Sequence, residues 1–114
     1  MKLFTSLLTI FLGVQSPMKT YAETTNFVVI DVRTAEEFAD GFVKGSLNYD
    51  FYDPAFKDTI AKLDKSKVYK LYCRSGNRSG QAERMMKSLG FKEVENIGSV
   101  AEAAKILNKP IVKN

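Results

Sequence analysis

The sequence predicts an α/β fold built on a mainly parallel sheet. Three observations carry this. Phe27-Val28-Val29-Ile30 and the stretch Val68 to Tyr72 read as short strands. Ala82, Met85, Met86 and Leu89 repeat at helical spacing, as do Val100, Ala103, Ala104 and Leu107. The two patterns alternate along the chain, as βα units do.

Taken in order, the run Phe27 to Ile30 is continuously apolar and β-branched, which suits a strand buried on both faces. Thr34-Ala35-Glu36-Glu37 has the spacing of a capping box, so a short helix starts there and Gly41 ends it. Asp53-Pro54 predicts a second helix start, with Phe56, Ile60 and Leu63 on its inner face. Val68 to Tyr72 is the next strand, and Lys70 within it requires a partly open face or a snorkelling stem. The third helix begins near Ser79 and is closed by Gly90. Val94 to Ile97 is a further strand, and the stripe from Val100 to Leu107 is a last helix with Pro110 beyond its end.

Composition narrows the chemistry. The chain has 114 residues, room for one domain with a modest core. Its 17 basic residues include Lys2 and Lys19; without those two, 15 face 13 acidic ones, a net charge near +2. That balance gives no reason to expect nucleic acid, and Lys62, Lys65, Lys67 and Lys70 read as a solvated helix end and turn. There is no histidine, which removes Cys–His and Ser–His catalytic pairs. A single cysteine without histidine excludes an ordinary zinc site, and no metal or other cofactor is expected.

Residues 1–22 read as an export signal. Lys2 supplies a positive start, Leu3 to Val14 a short apolar run, and Thr20-Tyr21-Ala22 a cleavage site. The apolar run is shorter than the roughly 20 residues a membrane span needs. The expectation is an exported domain over 23–114, periplasmic or secreted, with no membrane span after signal removal. In an oxidising compartment a single cysteine, which has no partner within the chain, stands out as a reactive thiol.

The informative segment is Tyr72-Cys73-Arg74-Ser75-Gly76-Asn77-Arg78-Ser79. A strand ends at a cysteine, a short cationic loop follows, and a helix begins. Ligand sites in open α/β sheets lie at the carboxyl ends of strands. Backbone amides of a tight loop entering a helix converge on one point, where the helix dipole adds positive charge. Around a sulfur, such a nest favours thiolate over thiol without a histidine base. Gly76 allows a left-handed turn, Ser79 is placed to cap the helix, and Arg74 and Arg78 add to the field. The competing reading is a buried, inert cysteine at a strand end.

This segment resembles the active-site loop of rhodanese-like sulfurtransferases, which closes on Gly-x-Arg-Ser, here Gly76-Asn77-Arg78-Ser79. Ile30-Asp31-Val32-Arg33 with Glu36-Glu37-Phe38 looks like the family's first strand and helix, and Gly41 to Asn48 like its second motif. The small size, the signal and Val94-Glu95-Asn96 are similar to the phage-shock-type periplasmic members. Phe42 and Ser99 depart from the family pattern, where histidine and glycine are usual.

The resemblance implies a three-layer fold with about five short strands flanked by helices. It implies that Cys73 accepts a sulfur atom from a donor such as thiosulfate, giving a persulfide held by the loop Arg74, Ser75, Gly76, Asn77, Arg78 and Ser79. Cyanide, a thiol or a thiol protein then removes the sulfur. Asp31 and Arg33 are expected to support the site, and Arg78 to pair inward with Asp31, leaving Arg74 for the anionic donor. Tyr49 or Phe51 is placed to line the mouth, the other tyrosines being packing residues, and nothing demands more than a monomer.

Rival readings differ in class. A phosphatase of this fold needs Cys-x5-Arg, whereas Arg78 stands five positions after Cys73, so the loop is one residue short for phosphate. A non-catalytic sulfur-relay module, an arsenate reductase and a thiol acting through a mixed disulfide use the same loop. Glu36 and Glu37 are explained by the capping box and a solvated face rather than by acid–base work.

Overall fold

The computed structural model describes residues 26–114; the stretch read as an export signal lies outside them. The elements run β1 (Val28–Asp31), α1 (Ala35–Ala39), β2 (Phe42–Val43), β3 (Leu47–Asn48), α2 (Phe56–Ala61), β4 (Val68–Cys73), α3 (Asn77–Ser88), β5 (Glu93–Ser99), α4 (Val100–Leu107) and β6 (Ile111–Val112). The central sheet has four strands, ordered β3-β1-β4-β5 and parallel throughout. The resemblance implies about five strands; β2 lies outside this sheet and pairs antiparallel with β6. Two-residue strands carry too little pattern to be seen in sequence.

Alternation along each strand divides the core. Ile30, Leu71 and Cys73 face one side, with Phe56 and Ile60 of α2 and Ala82 and Met86 of α3. Val29 and Tyr72 face the other, with Val43, Ile97 and Ala103 of α4. The sheet is therefore covered on both faces, and the run Phe27 to Ile30 leading through β1 reads as continuously apolar for that reason. Truncating Leu71, which is fully buried, to alanine is expected to cost about 2–5 kcal/mol.

Caps fall where backbone groups need them. Thr34 and Glu37 form the expected capping box on α1, and Ser99 and Glu102 form a second on α4. Ser99 thus stands at a helix start, where its hydroxyl serves the Glu102 amide. The predicted helix at Asp53-Pro54 begins later, at Phe56, because the Asp53 carboxylate accepts from Ala55 N and closes a turn first. Lys70 reaches water and pairs with Glu95 at 2.7 Å. Tyr72 is fully buried, with its hydroxyl accepting from Val43 N at 3.0 Å and bonded to Ser46 Oγ at 2.9 Å. Burial pushes its pKa up to about 12, so it is a neutral tie from β4 to β2 and the turn after it.

Candidate active site

The site forms where β4 ends and α3 begins. Gly76 precedes the helix with φ +94°, a left-handed conformation that a side chain would strain. That turn directs the Gly76 N–H at the Cys73 sulfur, 3.0 Å away. Ser79, in the first turn of α3, adds its N–H at 3.5 Å and its hydroxyl at 3.4 Å. The sulfur thus lies under the amino end of a 12-residue helix, where amides have no partner within the helix.

Two opposing effects act on the thiol. Burial raises its pKa, since Cys73 is fully buried. Donation from the Ser79 hydroxyl and amide and from the Ser75 and Gly76 amides lowers it and prevails, so the net shift is downward. A buried cysteine in an apolar setting shifts the other way, which separates this sulfur from an inert core thiol.

The arginines divide the work differently from expectation. Arg78 does turn inward, but its partner is Glu37, held by two bonds of 2.8 and 3.0 Å. Asp31 is unavailable because Arg33 claims both its oxygens, with contacts from 2.7 to 3.0 Å. Arg33 Nη2 also donates to the Gly41 carbonyl at 2.6 Å, tying the end of β1 to the start of β2. Glu37 therefore does more than cap α1: it accepts from Thr34 and from Arg78 together, and its pKa is lowered to about 2, chiefly by Arg78. The Tyr52 ring covers the Arg78 guanidinium, 5.2 Å away, as a cation–π partner. Tyr52 is thus a site neighbour rather than a packing residue.

Among the loop residues, the structure brings Gly76 and Ser79 to the sulfur by direct contact. Arg74 and Ser75 are exposed, and Arg74 has no ion pair or side-chain hydrogen bond among the described residues. The Asn77 side chain faces outward and accepts from Gln81 at 3.5 Å. Ser79 does not cap α3, since Gly76 holds that position. Asn48, the last residue of the second motif, has an amide that donates to the carbonyls of Asp31 and Arg33 at 3.0 and 2.9 Å and fixes the end of β1. Asn96, which the sequence shows only as the end of Val94-Glu95-Asn96, bonds Ser79, Gly76 and Gly98. Among the described residues no cluster of His, Cys, Asp or Glu is placed to hold a metal ion, and no helix is long and apolar enough to cross a membrane.

A cysteine at a strand end, under a helix and ringed by amides, defines a sulfur- or oxyanion-handling loop on a three-layer α/β fold. The family model for the rhodanese-like domain matches residues 15–102, and the chain belongs to this family. It is 33% identical over 75 residues to thiosulfate sulfurtransferase PspE of Escherichia coli (strain K12), covering 66% of this chain and 72% of that relative. It is 29% identical over 76 residues to a sulfurtransferase of Allochromatium vinosum, covering 67% and 69%. Among solved structures, a rhodanese with anions from E. coli matches with a TM-score of 0.64 at 32% identity, over 76% of this chain and 98% of that one. A rhodanese-related protein from Thermoplasma volcanium matches with a TM-score of 0.64 at 28% identity, over 82% and 91%. The activity class is sulfur transfer.

Proposed function

We propose that the protein transfers sulfane sulfur from thiosulfate to a thiol or cyanide acceptor through a persulfide on Cys73. The observation that carries this reading is the ring of N–H and O–H donors from Gly76 and Ser79 around a cysteine whose pKa is lowered despite burial. The relatives named as sulfurtransferases support it, and so does the E. coli rhodanese solved with anions.

The chemistry follows from the geometry. The Cys73 thiolate attacks the outer sulfur of thiosulfate; the S–S bond of the donor breaks, and sulfite leaves with the electron pair. The persulfide's outer sulfur then carries the negative charge, which loop amides stabilise. An acceptor nucleophile takes that sulfur and regenerates the thiolate. Cys73 is fully buried, and the two residues that follow it in the loop, Arg74 and Ser75, are exposed. Arg74, which has no ion pair among the described residues, attracts the anionic donor, while Arg78 braces the loop from Glu37. A phosphatase reading loses its arginine, since both Arg78 nitrogens that would hold phosphate are engaged with Glu37.

The reading extends to location: residues 1–22 act as an export signal, and the mature domain works outside the cytoplasm. N-terminal sequencing of the secreted fraction tests this, with Glu23 expected as the first residue. The activity is tested by initial rates of thiocyanate formation. Parallel lines against thiosulfate at several cyanide concentrations, absent in Cys73→Ser, are expected. Intersecting lines, or activity surviving in Cys73→Ser, contradict a persulfide intermediate.

A further inference from the structure

Ser79 has one hydroxyl proton, and two acceptors stand within reach of it. Its Oγ lies 3.4 Å from the Cys73 sulfur and 2.7 Å from Asn96 Oδ1. A hydroxyl donates once, so it serves one of them at a time. The Asn96 amide is held against turning over. Its Nδ2 donates to the Gly76 carbonyl at 3.0 Å, and its Oδ1 accepts from the Gly98 N–H at 3.0 Å. A reversed amide would set donor against donor at Gly98 and acceptor against acceptor at Gly76. Oδ1 therefore faces Ser79, at a distance ideal for an O–H···O bond.

The strand geometry that makes this possible is local. β5 carries one extra residue opposite Leu71–Cys73, and Gly98 sits in this irregularity at φ +93°. The kink presents the Gly98 N–H to Asn96. Gly80 leaves room on the facing helix, where a Cβ would stand 3.3 Å from Asn96 Nδ2.

We propose that Asn96 is a positioning residue for Cys73: it holds the Ser79 hydroxyl proton while Cys73 is a thiol and yields it to the sulfur when the thiolate forms. On ionisation the thiol proton leaves to solvent, and the Ser79 O–H swings from Asn96 Oδ1 to the sulfur; no bond between heavy atoms changes. Asn96 thereby restrains the thiolate through Ser79 while supporting it through Gly76, whose N–H reaches the sulfur. The charged groups around the site are the Arg78–Glu37 pair from α3 and α1, the Asp31–Arg33 pair at the end of β1, Arg74 in the loop, Arg84 of α3 beside Gly80, and Glu102 of α4 beside Gly98. None of them bonds Asn96.

The inference rests on Cys73 being the reacting sulfur, and its test needs no sulfur donor. The Cys73 pKa is read from the pH dependence of iodoacetamide alkylation in the full chain, in Ser79→Ala, in Asn96→Ala and in the double variant. Loss of the Gly76 contact affects both backgrounds equally, so the difference between them isolates the path through Ser79. Asn96→Ala is expected to move the pKa lower in the Ser79 background than in the Ala background, by about half to one unit. Equal shifts in the two backgrounds, or a difference of opposite sign, overturn the proposal. If Asn96→Ala fails to fold, Asn96→Asp replaces it. The carboxylate grips the Ser79 proton harder, so it should raise the pKa more with Ser79 present than without it, and equal rises overturn the proposal. Thiosulfate turnover, measured separately, reports on the sulfur-transfer reading alone.

Discussion

Two neighbouring strands end in buried acidic groups that the chain treats in opposite ways. At the end of β1, the buried Asp31 carboxylate is neutralised by the Arg33 guanidinium at 2.7 Å and capped by the Arg33 N–H at 2.8 Å. At the end of β4, the buried Cys73 sulfur meets only uncharged donors, from Gly76 and Ser79. A full counter-charge with two-pronged geometry makes Asp31 a permanent structural tie. Neutral dipoles stabilise a thiolate while leaving its lone pairs free of an ion pair, so Cys73 remains a nucleophile. The Arg78 guanidinium, in the first turn of α3, is bonded to Glu37 and not to the sulfur.

The comparison breaks first at β1. Asp31→Ala leaves a nearly buried guanidinium without its partner and should cost about 3–5 kcal/mol in chemical denaturation. A loss under about 1 kcal/mol would mean that the pair is not a structural tie. Next comes Glu37→Gln, which keeps the capping geometry but removes the negative charge that faces Arg78. A cost of about 1–2 kcal/mol is expected. Its pH signature has a definite sign. The Glu37 pKa falls from 4.5 to about 2 in the fold, so its contribution is complete above pH 4.5 and is lost as pH falls toward 2. Wild type should therefore lose more stability than Glu37→Gln across that window, and parallel curves would contradict the assignment.

Arg74→Ala sharpens the contrast from the other side. It should leave stability within about 0.5 kcal/mol and lower kcat/KM for thiosulfate roughly 10-fold, with the gap narrowing at high salt. Unchanged kinetics would remove Arg74 from donor attraction. The smallest effect belongs to Lys70→Ala, whose pair with Glu95 is largely exposed and should be worth at most about 0.5 kcal/mol by melting.

The cysteine loop was legible because strand end, turn and helix start are contiguous in sequence. The Cys73–Ser79 segment displays its own local geometry, and Gly76 announces the left-handed turn. The capping box at Thr34 and the apolar stripe of α3 were readable for the same reason. What escaped notice is what the fold brings together from afar. Arg78 reaches Glu37 across 41 positions, and with Asp31 and Glu37 both acidic, only the completed sheet shows that Arg33 has already occupied the former. Asn96 displays no motif chemistry of its own; its role depends on a kink at Gly98 that turns its amide toward Ser79. The β2–β6 pairing rests on two residues a side and is fixed by packing rather than by pattern.

The most direct test of the central claim is the intact mass of the protein after incubation with thiosulfate, beside Cys73→Ser. A gain of one sulfur atom in the wild type, removed by cyanide and absent from the variant, is the predicted result. No gain, with Cys73 still alkylated by iodoacetamide, would contradict it and leave a reactive thiol that thiosulfate does not charge.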